Sequence, residues 1–257
     1  MSIDLHLDHG VATITINRPE RRNALDAEHY QALSEAWMRV RDDTAIRVAI
    51  VTGAGDLAFC AGADIKSWVG REAPLADHWL TQQLQLLNRG LEVWKPVLAA
   101  VNGVCLGGGT TLLMATDIRV ASTTAKFGLS EVKRGIIAAN GGTQRIMRQM
   151  PYAIAMEMLL LGETIDAETA LRWGFVNRVA PPAEVMGVSQ DLARRIGENA
   201  PLAVQAAKEL AIRGQDMDLA SGLRMEQMVN RLLQKSEDSA TARLAFSEKR
   251  KPDFKGQ

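Results

Sequence analysis

The sequence predicts an α/β fold with mostly parallel strands, followed by a helical C-terminal region. Three observations carry this. Strand-like and helix-like segments alternate up to about residue 150. Two of the strands are continuous apolar runs, which suits burial on both faces in a parallel sheet. Beyond Pro151 only helical patterns follow, separated by Gly or Pro.

"VATITINRP" alternates apolar and polar residues and reads as a strand after the "DHG" turn. Asp26 is placed to cap a helix through "AEHYQALSEAWMRVRDD", where Leu33, Trp37 and Val40 recur at helical spacing. "RVAIVTGAG" reads as a buried strand ending in glycines. Residues 75–94 are expected to form a second helix, closed by Pro96. "PVLAAVNG" is another buried strand; glycines 107–109 and a helix follow, and "DIRVAS" returns to strand. After Pro151, "YAIAMEMLLLG", "DAETALRWG", "PAEVMGVSQDLARRIGEN", "PLAVQAAKELAIRG" and residues 218–249 read as helical.

At 257 residues the chain suits one large domain or a domain with an appendage. An apolar fraction of 47% and a charged fraction of 23% are those of an ordinary soluble globular protein. The formal net charge is zero and the pI near 6.9, which argues against a nucleic-acid stripe or a polybasic membrane patch. Cys60 and Cys105 belong to no CxxC pair, so a reducing interior is the expectation. The polar, acidic start reads as no signal peptide, and no apolar run reaches the roughly 18 residues of a membrane span. A cytoplasmic protein is expected, with no nucleic-acid or membrane partner. His6, His9, His29 and His78 show no metal-ligand spacing, so no metal is expected.

The glycine triplet admits two readings. It is a tight strand-to-helix turn with close packing, or it is an anion site where bare backbone N–H groups at a helix start meet a ligand oxygen. A second glycine-bearing loop, "FCAGADI", follows the earlier strand. Two such loops after neighbouring parallel strands can aim two N–H groups at one point on the carboxyl edge of the sheet.

The series "NRPERRNAL", "FCAGADIK", "KPVLAAVNGVCLGGG", "FGLSEVKRGI", "NGGTQRI", "ALRWGFVNRV" and "AFSEKRKPDFKGQ" resembles the crotonase superfamily, also called the enoyl-CoA hydratase/isomerase family. The resemblance runs from about Val11 to the last residue, and within the family the chain is similar to carnitinyl-CoA dehydratase-like bacterial members. It implies a ClpP/crotonase-like spiral core of repeated ββα units over residues 1–195 and a C-terminal helical trimerisation region over residues 196–257. Homotrimers, or hexamers built as dimers of trimers, follow from the same resemblance. So does an acyl-CoA substrate whose enolate is held by the amides of Ala63 and Gly108, with no cofactor beyond the coenzyme A of the substrate. Coenzyme A contacts are implied at Ala61, Asp64 and Ile65 near the adenine, and at Arg22 and Ala24 beside pantetheine and phosphate. Phe246 and Lys249 match positions that reach an adjacent subunit's ligand.

Hydratases of this family, the carnitinyl-CoA dehydratases included, carry a glutamate just after the glycine triplet and a second one 20 positions later. Here Thr111 stands at the first position and Glu131 at the second. One carboxylate suffices for moving a double bond, since it removes a proton from one carbon and returns it to another. Burial would raise its pKa toward neutrality, which suits a general acid/base. The Thr111 hydroxyl can hold a water or bond the preceding turn. His78, beside Trp79, and Asn140 are the other polar candidates; the first reads as a loop residue, the second as a turn former before Gly141. The expected function is that of an enoyl-CoA hydratase/isomerase family enzyme with Glu131 as general acid/base. A double-bond isomerase and a carnitinyl-CoA-type dehydratase stay open within it. Outside it stand a non-catalytic CoA- or RNA-binding scaffold and a CoA-independent diketone cleavage.

Overall fold

Successive strands leave one sheet for another, and this alternation organises the chain. A computed structural model describes residues 2–68 and 85–257. The larger sheet holds β1 (Ile3–Asp8), β2 (Val11–Ile16), β3 (Val48–Gly53), β5 (Val97–Val101), β7 (Ile118–Ser122) and β10 (Arg178–Ala180), side by side in that order. The smaller sheet holds β4 (Ala58–Cys60), β6 (Val104–Leu106), β8 (Lys126–Gly128) and β9 (Thr164–Asp166), also in that order. Only the outer pairs β1/β2 and β8/β9 are antiparallel. The pairs β3–β4, β5–β6 and β7–β8 each give one strand to each sheet. Helices α2 (Ile65–Trp68), α3 (Gly108–Leu113) and α4 (Gly142–Gln149) come after them. The core is therefore a spiral of ββα units.

The strand pattern explains where the hydrophobic layers lie. Every residue of β3 and β5 is buried, as their continuous apolar runs require. Side chains alternate across a strand, so Ala49, Val51, Ala99 and Val101 join the main core, whereas Val48, Ile50, Leu98 and Ala100 face the other way. Helix α1 (Ala27–Asp42) packs on the first face through Leu33, Trp37 and Val40, and the Asp26 side chain caps it by accepting the His29 N–H. Helix α7 (Val185–Gly197), after α5 (Tyr152–Leu161) and α6 (Ala167–Arg172), covers the second face with Val185, Leu192 and Ala193.

The expected border between residues 195 and 196 falls inside α7. Residues 218–249 form two helices, α9 (Leu219–Leu233) and α10 (Glu237–Ser247), after α8 (Pro201–Arg213). The break occurs where the Ser236 side chain accepts the Ser239 N–H and starts a new helix. Neither α8 nor α9 buries a residue, and Leu219, Leu223, Met228 and Leu232 are exposed.

The expected helix over residues 75–94 is corrected where it is described. From Gln85 onward the only helical turn is the 3-10 segment Leu87–Arg89, which Gly90 ends at φ +94°. Apolar residues at helical intervals misled here, because Leu86, Leu87 and Val93 reach the core from irregular backbone. The first ten residues of that span, with His78 and Trp79, lie outside the described residues. Among the described residues no helix is long and apolar enough to cross a membrane.

Candidate active site

Strands β4, β6 and β8 run parallel, so their C-terminal ends share one edge. Ala63, Gly108 and Glu131 lie three, two and three residues beyond those ends. The spiral thus delivers one candidate group per turn to the same place.

Each glycine of the triplet answers a different constraint. Gly107 has φ 52° and ψ −119°, a backbone that side-chain-bearing residues rarely adopt, and a Cβ there would stand 3.4 Å from Glu131 Oε1. Gly108 opens α3, and its N–H has no acceptor among the described residues. At Gly109 a Cβ would collide with the Cys60 carbonyl oxygen, so glycine is what lets α3 rest on β4. Thr110 then fastens the helix: its hydroxyl lies 2.8 Å from the Cys105 carbonyl and 2.9 Å from that of Gly128.

The second loop is held by backbone pairing with the segment before α1. The Ala61 N–H donates to Arg22 O, the Leu25 N–H to Gly62 O and the Asp64 N–H to Leu25 O. The Ala63 N–H is left without an acceptor among the described residues. Gly62, at φ +96°, touches the other loop: a Cβ on it would stand 2.9 Å from Leu106 O and 3.1 Å from Gly108 N. Arg18 braces the arrangement from behind, with Nη1 3.0 Å from Asp64 Oδ2 and 3.2 Å from Asp26 Oδ2.

A cavity of about 200 Å³ opens where the loops meet, and Ala63, Gly108, Thr111 and Glu131 all line it. Ala61 and Ile65 line it as well. Arg22, Ala24 and Asp64 do not; the Asp64 carboxylate is committed to Arg18 and to the Lys66 N–H. Phe246 and Lys249 sit away from it near the end of α10, with Phe246 88% exposed.

Glu131 begins a 3-10 turn, Glu131–Arg134, that Gly135 ends in the left-handed region. Its Oε2 is buried and has no hydrogen-bond partner among the described residues. Burial is the largest influence on this carboxyl and pushes its pKa above the ordinary 4.5, against its own backbone N–H and Arg134, which lower it. A carboxyl in that state can both take and return a proton.

Thr111 is buried and its hydroxyl is engaged on both sides. It donates to Gly108 O at 3.0 Å and accepts from Asn88 Nδ2 at 3.1 Å. Of the two roles read for it, bonding the preceding turn is the one the geometry displays, and its single proton is used there.

Two cavity neighbours escaped the sequence reading. Tyr30 shares the inward face of α1 with Leu33 and Trp37 and reads as core, yet it lines the cavity. Burial pushes its phenol up to about 12, so it stays protonated near neutral pH. A Cβ on Gly108 would lie 3.3 Å from its hydroxyl. Asn88 sits in the span expected to be helical, and nothing local to it announces a contact with Thr111. Asn140 is at φ 54°, the turn former expected, but its Oδ1 also accepts from Arg89 Nε at 2.9 Å and it lines the cavity.

A family profile described as enoyl-CoA hydratase/isomerase matches residues 6–257. The chain is 43% identical over 256 residues to the (E)-benzylidenesuccinyl-CoA hydratase of Thauera aromatica, covering 100% of both. It is 40% identical over 264 residues to the carnitinyl-CoA dehydratase of Proteus mirabilis (strain HI4320), again covering 100% of both. The crystal structure of an enoyl-CoA hydratase from Bacillus anthracis superposes with a TM-score of 0.93 at 34% identity, over 100% of each chain.

Proposed function

The chain belongs to the enoyl-CoA hydratase/isomerase family, and from that premise we propose that it forms and reprotonates the enolate of an acyl-CoA thioester, with Glu131 moving the proton. One observation carries this reading. Two backbone N–H groups and a buried carboxylate oxygen, none with a partner among the described residues, face a single cavity.

Removing an α-proton places negative charge on the thioester oxygen. The Ala63 and Gly108 amides are fixed before the reaction and meet that charge without reorganising. Each such donor is typically worth ~2.7–4 kcal/mol of barrier. Glu131 takes the proton and returns it, and its raised pKa narrows the gap to the weakly acidic carbon. The adenine of coenzyme A is read to lie along Ala61 and Ile65, and its pantetheine and phosphate beside Arg22 and Ala24. Asp64 serves there by shaping the loop.

The engaged Thr111 hydroxyl favours double-bond isomerisation, which needs one acid/base group. A hydratase or dehydratase that uses Glu131 for both proton transfers is the second reading. It is supported by the hydratase and dehydratase activities of the two relatives above.

The test is a panel of 3-enoyl-, 2-enoyl- and 3-hydroxyacyl-CoA thioesters in deuterated water. Deuterium is expected at the α-carbon, and Glu131→Gln is expected to slow its entry by ~10²–10⁴-fold. Full exchange in that variant would remove Glu131 from the role. Product analysis separates the readings, since only a hydratase adds water to the 2-enoyl thioester.

A further inference from the structure

A second hollow, of about 380 Å³, shares Asn140 with the catalytic cavity. Arg89, Arg145 and Arg148 line it, and no aspartate or glutamate does among the described residues. Three guanidinium groups in one concave place repel one another unless an anion joins them. Arg148 pairs with Asp216 at 3.3 Å. Arg145 donates from Nη1 to the carbonyls of Asn88 and Asn140, at 3.0 and 3.2 Å, and has no carboxylate partner among the described residues. Burial and the like charge of Arg148 lower its pKa, the mark of a cation that lacks a counter-ion.

Arg89 is the group best prepared for an incoming anion. Its Nε donates to Asn140 Oδ1, and its guanidinium lies over the Tyr30 ring, 5.5 Å from the centroid. Tyr30 and Asn140 both line the catalytic cavity, so Arg89 is held against that cavity's wall from behind. Its two terminal nitrogens have no hydrogen-bond or ion-pair partner among the described residues. They form a planar fork, which matches a carboxylate in two parallel hydrogen bonds.

We propose that this hollow receives a carboxylate carried on the acyl part of the substrate, so that the enzyme acts on coenzyme A monothioesters of dicarboxylic acids. The inference rests on the enolate reading of the neighbouring cavity and names its substrate class. A plain hydrocarbon tail would leave Arg89 and Arg145 without counter-charge beside apolar atoms, whereas a distal carboxylate removes that penalty. Such a contact also orients the acyl chain, because its two ends are then fixed at the amides and at the fork.

Calorimetric titration of the intact protein with adipoyl-CoA, hexanoyl-CoA and coenzyme A alone tests this. Adipoyl-CoA is expected to bind at least about tenfold more tightly than hexanoyl-CoA, from one charge-assisted contact. Arg89→Gln should bring that ratio close to one. Arg89→Lys, which keeps the charge and loses the fork, should leave an intermediate ratio and serves if the glutamine variant fails to fold. Equal binding of the two thioesters by the unaltered protein overturns the proposal. So does an equal loss of affinity for coenzyme A alone in Arg89→Gln, which would put a coenzyme phosphate in the hollow. Neither thioester has a double bond to hydrate or move, so the ratio stands apart from turnover; failure of α-deuterium exchange would defeat the enolate reading alone.

Discussion

Along α3 every buried hydroxyl has its partners, whereas across the cavity the Glu131 carboxyl has an oxygen with none among the described residues. The α3 wall is tied to three strands of the smaller sheet, through Gly109 against Cys60 and through Thr110 against Cys105 and Gly128. The facing wall is a single 3-10 turn whose own Val132 is exposed, as are Ile136 and Ile137 just beyond it. On the proposed chemistry the difference separates two tasks. A donor that must meet a developing charge has to be immobile, and immobility comes from satisfied contacts. A group that must exchange a proton has to be poised between its two states, and a fully paired carboxylate would stay ionised.

The largest expected disturbance of this contrast is Gly109→Ala. Its methyl group would force α3 away from β4, at a cost of roughly 1–3 kcal/mol or more, as for overpacked cores. In a chain of this size that corresponds to a fall in Tm of about 3–10 °C, read by thermal unfolding. An unchanged Tm would mean that α3 is not seated on β4. Thr111→Val comes next. It removes the hydroxyl that answers Asn88 and Gly108, and a loss of about 1–2 kcal/mol is expected. Its α-deuterium exchange should stay within about tenfold of the parent; a loss as deep as that of Glu131→Gln would make Thr111 a participant in the chemistry.

The smallest effect sharpens the other side. The folded-state pKa of Glu131 lies above its ordinary 4.5, because burial disfavours the ionised form. Its contribution to stability is therefore present below the ordinary value and is lost as pH rises through the folded value. Unfolding measured against pH should show the parent weakening relative to Glu131→Gln across that window. A constant difference between them would mean that the carboxyl is not buried as described. The exchange rate should move in the opposite sense, rising as the base ionises.

Much of this was legible in the sequence, for physical reasons that differ by element. Helix α1 is long, periodic and capped, and the strands β3 and β5 are unbroken apolar runs followed by glycine, so local pattern suffices. Strands β4, β6 and β8 are three residues each, too short for a period to show, and the smaller sheet was invisible for that reason. That Ala63, Gly108, Thr111 and Glu131 line one cavity could be expected because glycines and a local motif mark their positions. Asn88 and Arg89 were not, since their partners Thr111 and Asn140 are 23 and 51 residues away and nothing beside them in the chain records the contact.

The spiral also sets an order in time. Ala63, Gly108 and Glu131 follow β4, β6 and β8, one group for each turn laid down. A chain emerging from the ribosome therefore gains the first proposed amide donor, then the second, and the proposed acid last. Until the third turn stacks on the second, the two amides proposed to hold charge stand without the group proposed to create it.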